Sequence, residues 1–450
     1  MKALAPLIRK YNRPIPRYTS YPTVPFWSNT PNQDEWKSHI KNAFQKSNDK
    51  EGISIYVHLP FCESLCTYCG CNTRITVNHK VESPYIEALK KEFDLYLELF
   101  DEKPIISELH LGGGTPTFFS ADHLNDLISY FFQHSEISEN ANMSFEAHPA
   151  NTSYEHLETL HRLGFKRLSL GIQDFDPHVQ TLISRHQTVE QVEKVVLLAR
   201  SIGYESINFD LIYGLPDQTI DSVKNTVYEV IRLKPERIAF YSYAHVPWLK
   251  PGQRKYDESN LPSGNEKFKL YEEGREMLES AGYHEIGMDH FALKNDSLFT
   301  SMYRGNMHRN FMGYTERHTQ LMIGLGVSSI SDTYTCFAQN EKKLEDYYKR
   351  LDANEFPFFK GHQLSEDDML RRQLILDLMC RQRAELKAEI LNSGSITLLD
   401  EMMSDNMVAI VDNQLEITNT GKALLRNCCS IYDAYLNNEL KSSNMFSMAV

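Results

Sequence analysis

The chain has 450 residues, is 41% hydrophobic and carries a formal net charge of −13. This is the composition of an ordinary soluble globular protein, with room for one large domain and a smaller one, and the acidic balance without a long Lys/Arg block argues against nucleic-acid binding or a membrane-surface role. The apolar stretch near Met1 is too short for a signal peptide and no apolar run approaches transmembrane length, so a cytoplasmic location without membrane insertion is expected, where reducing conditions keep thiols free.

In chain order, residues 1–50 form an N-terminal arm whose run Asn12 to Pro22 is rich in prolines and aromatics and reads as extended and packed, not helical. Six β-like runs follow: Ile53 to Val57, Glu108 to Leu111, Met143 to Glu146, Arg167 to Ile172, Ser206 to Ile212 and Arg237 to Tyr243. Between them, Tyr85 to Leu99, Ala121 to Phe132, Tyr154 to Leu163, Val189 to Ser201 and Ile220 to Leu233 have helical periodicity. Strand alternating with helix predicts an α/β fold, a partial (β/α)6 TIM-like barrel over residues 51–330, with active-site groups at the C-terminal ends of its strands. Residues 331–364 read as a connecting segment. Residues 365–450 read as a small, mainly helical, winged-helix-like domain: one or two helices over Glu366 to Ile390, a β element over Val408 to Ile417 and a last helix over Gly421 to Cys428. It lacks a strongly basic face, which favours a cover for the barrel over DNA binding.

The first β-like run leads into His58-Leu-Pro-Phe-Cys62-Glu-Ser-Leu-Cys66-Thr-Tyr-Cys69-Gly-Cys71-Asn72. Gaps of three and two residues can bring Cys62, Cys66 and Cys69 onto three corners of a cubane [4Fe-4S] cluster, leaving the fourth iron open to a small molecule. A structural zinc wants four ligands, usually in two pairs, and no second Cys-x-x-Cys pair follows. Cys71 as a fourth ligand would close the open iron, so it is assigned to the cluster's surroundings. Cys336, Cys380, Cys428 and Cys429 lack framework spacing and read as buried or free thiols.

Each later strand also ends in a polar or glycine-rich cluster: Gly112-Gly-Gly-Thr-Pro116, Glu146-Ala-His148-Pro149, Gly171-Ile-Gln173-Asp174, Asp210 with Gly214-Leu-Pro216, and Tyr243-Ala244-His245. The glycine run lacks the ending of a P-loop and the spacing of a dinucleotide fingerprint. Singly it could be a tight turn, Glu146 a solvated acid, and Gln173, Arg185 and Asp210 surface or salt-bridge residues. Six such clusters at six strand ends favour function.

The Cys-x3-Cys-x2-Cys loop resembles the signature of radical S-adenosylmethionine enzymes, where the open iron chelates the amino and carboxylate groups of that cofactor. Together with Arg13-Pro-Ile-Pro-Arg17-Tyr-Thr-Ser-Tyr-Pro22, Cys71-Asn72, Gly-Gly-Gly-Thr-Pro, Ser169-Leu-Gly-Ile-Gln-Asp174, Asn208-Phe-Asp-Leu-Ile-Tyr-Gly-Leu-Pro216 and His308-Arg-Asn-Phe-Met-Gly-Tyr314, it resembles the oxygen-independent coproporphyrinogen III oxidase family across nearly the whole chain. Ile15 stands where that family usually has glycine. The resemblance implies decarboxylation of two propionates of coproporphyrinogen III to vinyl groups, giving protoporphyrinogen IX for haem synthesis. It also implies a reduced cluster, two S-adenosylmethionine molecules, an electron donor, an unidentified final electron acceptor and a monomeric enzyme.

The same resemblance places Tyr56, Gly113, Glu146 and Ile330 at a first S-adenosylmethionine site, and Tyr68, Gly114, Thr115, Gln173, Arg185, Asp210 and Ala244 at a second. It puts Tyr56 and His58 near the radical, as catalytic or as packing residues. A tetracarboxylate substrate calls for cations at the pocket: Arg13, Arg17, Arg304, His308 and Arg309 are the candidates, with anchoring of the arm as their alternative role. The rival function is a haem-binding chaperone of the same superfamily. The arm and Cys71 favour the enzyme.

Overall fold

The computed structural model describes residues 5–438 and 446–449. Six strands, β1 (Ile53–Leu59), β2 (Ile105–Gly113), β3 (Glu136–Ala147), β4 (Arg167–Gln173), β5 (Ser206–Tyr213) and β6 (Arg237–Ser242), lie side by side in that order, each parallel to the next. Beyond β6 come β7 (Tyr283–Gly287) and β8 (His290–Leu293); beyond β1 come β9 (Met322–Leu325), β10 (Ile330–Asp332), β11 (Cys336–Asn340) and β12 (Phe358–Gln363). The full order is β12-β11-β10-β9-β1-β2-β3-β4-β5-β6-β8-β7. β9 pairs parallel to β1, while β8, β7 and the β10 to β12 run pair antiparallel. The edges β12 and β7 do not meet, which leaves an open, partial barrel.

Alternation along the strands decides what faces the lumen. In β1, Ile53, Ile55, Val57 and Leu59 are fully buried against the outer helices, so Ser54, Tyr56 and His58 point the other way. The register then levels their neighbours: Tyr56 sits opposite His110 on β2, His110 opposite Ser144 on β3, and Ser144 opposite Arg167 on β4. One level further along, Glu146 sits opposite Ser169 and Ser169 opposite Asn208, and at the next level Gly171 sits opposite Asp210. Polar residues at these inward positions make the lumen a polar chamber inside an aliphatic shell.

The outer helices are amphipathic and capped. Ile220–Leu233 starts at Thr219, whose side chain accepts from Ser222 N–H, and buries Val223, Val227, Val230 and Leu233 against the sheet. It matches the expected span at both ends.

Residues 12–22 contain no helix, and Tyr11, Ile15, Tyr18 and Tyr21 are each at most 2% exposed. Two helices, Ala5–Tyr11 and Gln33–Ser47, flank that stretch, so residues 1–50 are not extended throughout. Residues 331–364, expected as a connecting segment, carry β11 and β12 with helix Leu344–Asp352 between them. After helix Glu366–Arg381, strand Arg383–Glu385 pairs with the hairpin Val408–Val411 and Gln414–Ile417, and helix Ser393–Ser404 lies between them in sequence.

Candidate active site

A cavity of about 590 Å³ opens at the C-terminal ends of the parallel strands and runs into the lumen. The cysteine loop forms one wall, and Cys62, Cys66, Cys69 and Cys71 all line it. The loop is held by main-chain bonds: Gly114 N–H donates to Leu59 O at 2.9 Å, Thr115 N–H to Phe61 O at 3.1 Å, and Thr67 N–H to Ile183 O at 2.9 Å. Donors already face its sulfurs. Thr115 Oγ1 lies 3.3 Å from Cys62 Sγ, Arg185 Nη1 lies 3.7 Å from Cys66 Sγ, and Cys71 N–H points at Cys69 Sγ from 3.4 Å. The Cys71 thiol and N–H, then Lys250 and Arg185, pull the Cys69 thiol down to about 6, whereas burial pushes Cys62 up to about 11.

The glycine run meets this wall at close quarters. Gly113 has φ +112°, and a Cβ there would stand 2.6 Å from His58 Nδ1; one on Gly114 would stand 2.7 Å from the Pro60 carbonyl carbon and oxygen. Absence of side chains therefore lets β2 dock against the cysteine loop itself. Opposite, Glu146 Oε2 accepts from Gly113 N–H at 3.1 Å and Oε1 lies 3.6 Å from His110 Nε2. Burial alone would raise this carboxyl, but His110 and the Gly113 N–H outweigh it and hold it below its ordinary value.

Across the cavity, Gln173 adopts φ +67° at the end of β4. Arg185 donates through Nη2 to Gly171 O, while its buried Nε makes no hydrogen bond among the described residues. Asp210 accepts from Ser169 Oγ at 3.0 Å and Asn208 Nδ2 at 2.9 Å. Burial and the Glu146 charge nevertheless raise it to about 6.

Of the residues named from sequence, Tyr68, Gly113, Gly114, Thr115, Glu146, Gln173, Arg185 and Asp210 line the same cavity as the cysteines. Tyr56 and His58 lie just behind that surface, joined to each other (Oη to Nδ1, 3.1 Å), with Tyr56 stacked on His110 and His58 Nε2 facing Asn72 O at 2.8 Å. Ala244 meets the loop indirectly: Gln253 donates from Nε2 to both Ala244 O and Tyr68 O. Ile330 begins β10, its carbonyl against Gly324.

The five cationic candidates separate. Arg17 pairs with Asp289 at 3.1 Å, donates to Ser242 O at 2.9 Å and lies over the Tyr241 ring; Arg309 lies over the Tyr314 ring, 4.5 Å from its centroid. Tyr241 and Tyr314 line the cavity. Arg309 is 5% exposed, yet its Nε and Nη1 make no hydrogen bond among the described residues. Arg13 sits in the arm, where Ala449 N–H donates to its carbonyl. Arg304 is exposed at the end of helix Ser297–Arg304, and His308 packs against His318 with the rings tilted by 46°; neither lines the cavity. His110, Tyr241 and His290 were not singled out from sequence. Their inward phase on β2, β6 and β8 becomes informative only once strand order is known.

The sequence model of the Radical SAM superfamily matches residues 56–229. An oxygen-independent coproporphyrinogen III oxidase from Synechocystis sp. is 37% identical over 462 aligned positions, covering 99% of this chain and 98% of that protein. The protein of the same description from Escherichia coli is 36% identical, covering 97% and 96%. A solved structure of the Escherichia coli coproporphyrinogen III oxidase, described as a radical SAM enzyme, superposes with a TM-score of 0.88 at 35% identity, over 93% of this chain and 98% of that one. With more than a third of its residues shared over nearly its whole length, the chain belongs to the oxygen-independent coproporphyrinogen III oxidase family within the Radical SAM superfamily.

Proposed function

We propose that the chain oxidatively decarboxylates two propionate side chains of coproporphyrinogen III to vinyl groups, giving protoporphyrinogen IX. The observation that carries the reading is the convergence of the three-cysteine loop, Glu146, Arg185 and Asp210 on one cavity whose far wall is backed by Arg17 and Arg309. Each conversion removes one hydrogen atom, one carbon dioxide and one electron from a propionate. A [4Fe-4S] cluster with S-adenosylmethionine, when bound, supplies the electron and the radical that make the hydrogen abstraction possible.

The donor set suits that cluster. Cys62, Cys66 and Cys69 line one wall of the cavity, and their gaps of three and two residues suit thiolates that would each meet a different iron. Cys62, Cys66 and Cys69 are the ligands in this reading, and Cys71 serves Cys69 through its N–H.

Ionised Glu146, fixed by Gly113 N–H and His110, is placed to accept from the amino group of a first S-adenosylmethionine beside Tyr56 and Ile330. Unpaired Arg185 Nε marks room for the carboxylate of a second, whose ribose hydroxyls Asp210 and Gln173 suit, with Tyr68 as an aromatic face and Gly114, Thr115 and Ala244 nearby. Of the five cationic candidates, Arg17 and Arg309 lie over the cavity-lining Tyr241 and Tyr314 rings and are our choice for the propionates; Arg13, Arg304 and His308 do not line the cavity. No helix of the described residues is long and apolar enough to cross a membrane; we place the enzyme in the cytoplasm, acting as a monomer with an electron donor that reduces the cluster and an unidentified final electron acceptor. Barrel with arm (1–50 and 51–330), connector (331–364) and C-terminal cover (365–450) remain our division of the chain.

The test is anaerobic: reconstitute the protein, measure iron and acid-labile sulfide, then follow protoporphyrinogen IX from coproporphyrinogen III. Product with cofactor cleavage supports the enzyme. Haem binding without oxidation would favour the chaperone.

A further inference from the structure

Behind the Tyr241 wall the two ends of the chain meet on one buried side chain. Arg426, 5% exposed on helix Leu425–Cys429, donates to Ile15 O and Pro16 O of the arm, and to Met448 O (3.1 Å) and Ala449 O (3.3 Å) of the C-terminal segment. Among the described residues none of its hydrogen bonds goes to a carboxylate. A buried guanidinium is costly unless its donors are satisfied, and these carbonyls satisfy it only while both chain ends are in place. The two ends also pair with each other: Ile15 N–H donates to Ser447 O at 3.1 Å, Ala449 N–H donates to Arg13 O at 3.0 Å, and Pro14 and Met448 form an antiparallel bridge. The residue after the clasped carbonyls is Arg17, which reaches Asp289, Ser242 O and the Tyr241 ring. Its carbonyl accepts from Arg309 Nη2 at 3.4 Å.

We infer that Arg426 and the C-terminal residues 447–449 form a clasp that positions Arg17, and through its carbonyl Arg309, at the substrate wall. Arg426 is a positioning residue: it lines none of the site described above and acts through the arm. The inference rests on the reading of Arg17 and Arg309 as substrate contacts.

Two full-length variants test it, Arg426→Gln and Ala449→Pro, the second removing one N–H from the clasp without touching helix Leu425–Cys429. Hydrogen exchange at Ile15 reads the clasp directly. Steady-state kinetics read its consequence, and iron content with cofactor cleavage reads the remainder of the site. In both variants Ile15 should exchange at least about tenfold faster, and KM for coproporphyrinogen III should rise about tenfold, the size of one lost hydrogen bond. Iron content and cofactor cleavage should stay within about twofold, well below the tenfold change that such a bond represents. Unchanged Ile15 exchange in Ala449→Pro overturns the clasp. Faster exchange with unchanged KM overturns the positioning role. If Arg17→Gln also leaves KM unchanged, the underlying substrate reading is what failed. Should Arg426→Gln not fold, Ala449→Pro alone decides by the same readouts.

Discussion

At the scale of single residues, the site is a set of groups pushed away from their ordinary protonation by named neighbours. Cys69 is made acidic by the Cys71 thiol and N–H and by Lys250 and Arg185, while Cys62 is made less acidic by burial. Serine in place of Cys62, Cys66 or Cys69 should therefore abolish a stable cluster. Cys71→Ser should keep about four irons and sulfides per chain, the content of a cubane, because the main-chain N–H to Cys69 survives the change. Iron analysis after reconstitution checks this, and loss of iron in Cys71→Ser would make Cys71 a ligand.

Asp210 gives a pH signature. Its folded value of about 6 stands above the ordinary 3.8, so the unfolded state gives up this proton first. The raised value helps the fold at low pH, and that help is lost as pH rises through about 6. Asp210→Asn avoids the loss. Its stability advantage over the parent should grow by about 2 kcal/mol between pH 4 and pH 7, read by denaturant unfolding at both pH values. An advantage independent of pH would contradict the raised value. The same change should weaken S-adenosylmethionine binding about tenfold, the size of a hydrogen bond to a charged group, which is how a binding group can lower stability and still serve the protein.

At the scale of elements, the glycine run shows how packing and function share residues. Gly113→Ala would place a methyl 2.6 Å from the His58 ring at φ +112°, costing about 3 kcal/mol from strain and overpacking together. It should lower the unfolding midpoint and the reconstituted iron content together, because β2 would be pushed off the cysteine loop. Gly394→Ala is the control away from the site, since a Cβ there approaches only Asn392 Oδ1, at 3.4 Å.

Elements were legible in the sequence where periodicity ran long. Helix Ile220–Leu233 and the cores of β1 to β6 declare themselves by apolar spacing. β10 and β11 do not, because strands of three and five residues, the second buried throughout, carry no alternation to read. Helix Gln33–Ser47 did carry a signal, the capping box of Asn32 with Glu35, though the prolines before it draw attention to an extended arm. The strand-end groups could be named because each follows a strand in sequence. His110, Tyr241 and His290 could not, since only the register places their side chains in one chamber.

At the scale of the whole molecule, the arm is part of the core. Tyr11, Ile15, Tyr18 and Tyr21 belong to the main hydrophobic core. Tyr18 Oη donates to Asp433 at 2.9 Å, Ala434 N–H donates to Tyr21 Oη at 3.1 Å, and Asn427 Nδ2 donates to Tyr11 O at 2.9 Å. Removing residues 1–22 would expose apolar surface, take the Ile15 and Pro16 carbonyls from Arg426 and leave Asp433 with the Leu436 N–H but without the Tyr18 hydroxyl, each lost bond to a charged group being worth about 1.5–3 kcal/mol. Deletion should therefore abolish oxidation, but it should also lower the stability of the C-terminal region, so lost activity alone cannot assign the arm a chemical role. Arg17→Gln separates the two effects, since it leaves the buried tyrosines and the Arg426 contacts in place and keeps a donor for Asp289. The expected outcome is an unfolding midpoint near that of the parent, iron content and cofactor cleavage unchanged, and KM for coproporphyrinogen III raised about tenfold, as for one charge-assisted contact. If Arg17→Gln turns over with the parental KM while the deletion is inactive, the arm acts by holding the C-terminal region against the barrel, and the propionates are met by Arg309 without it.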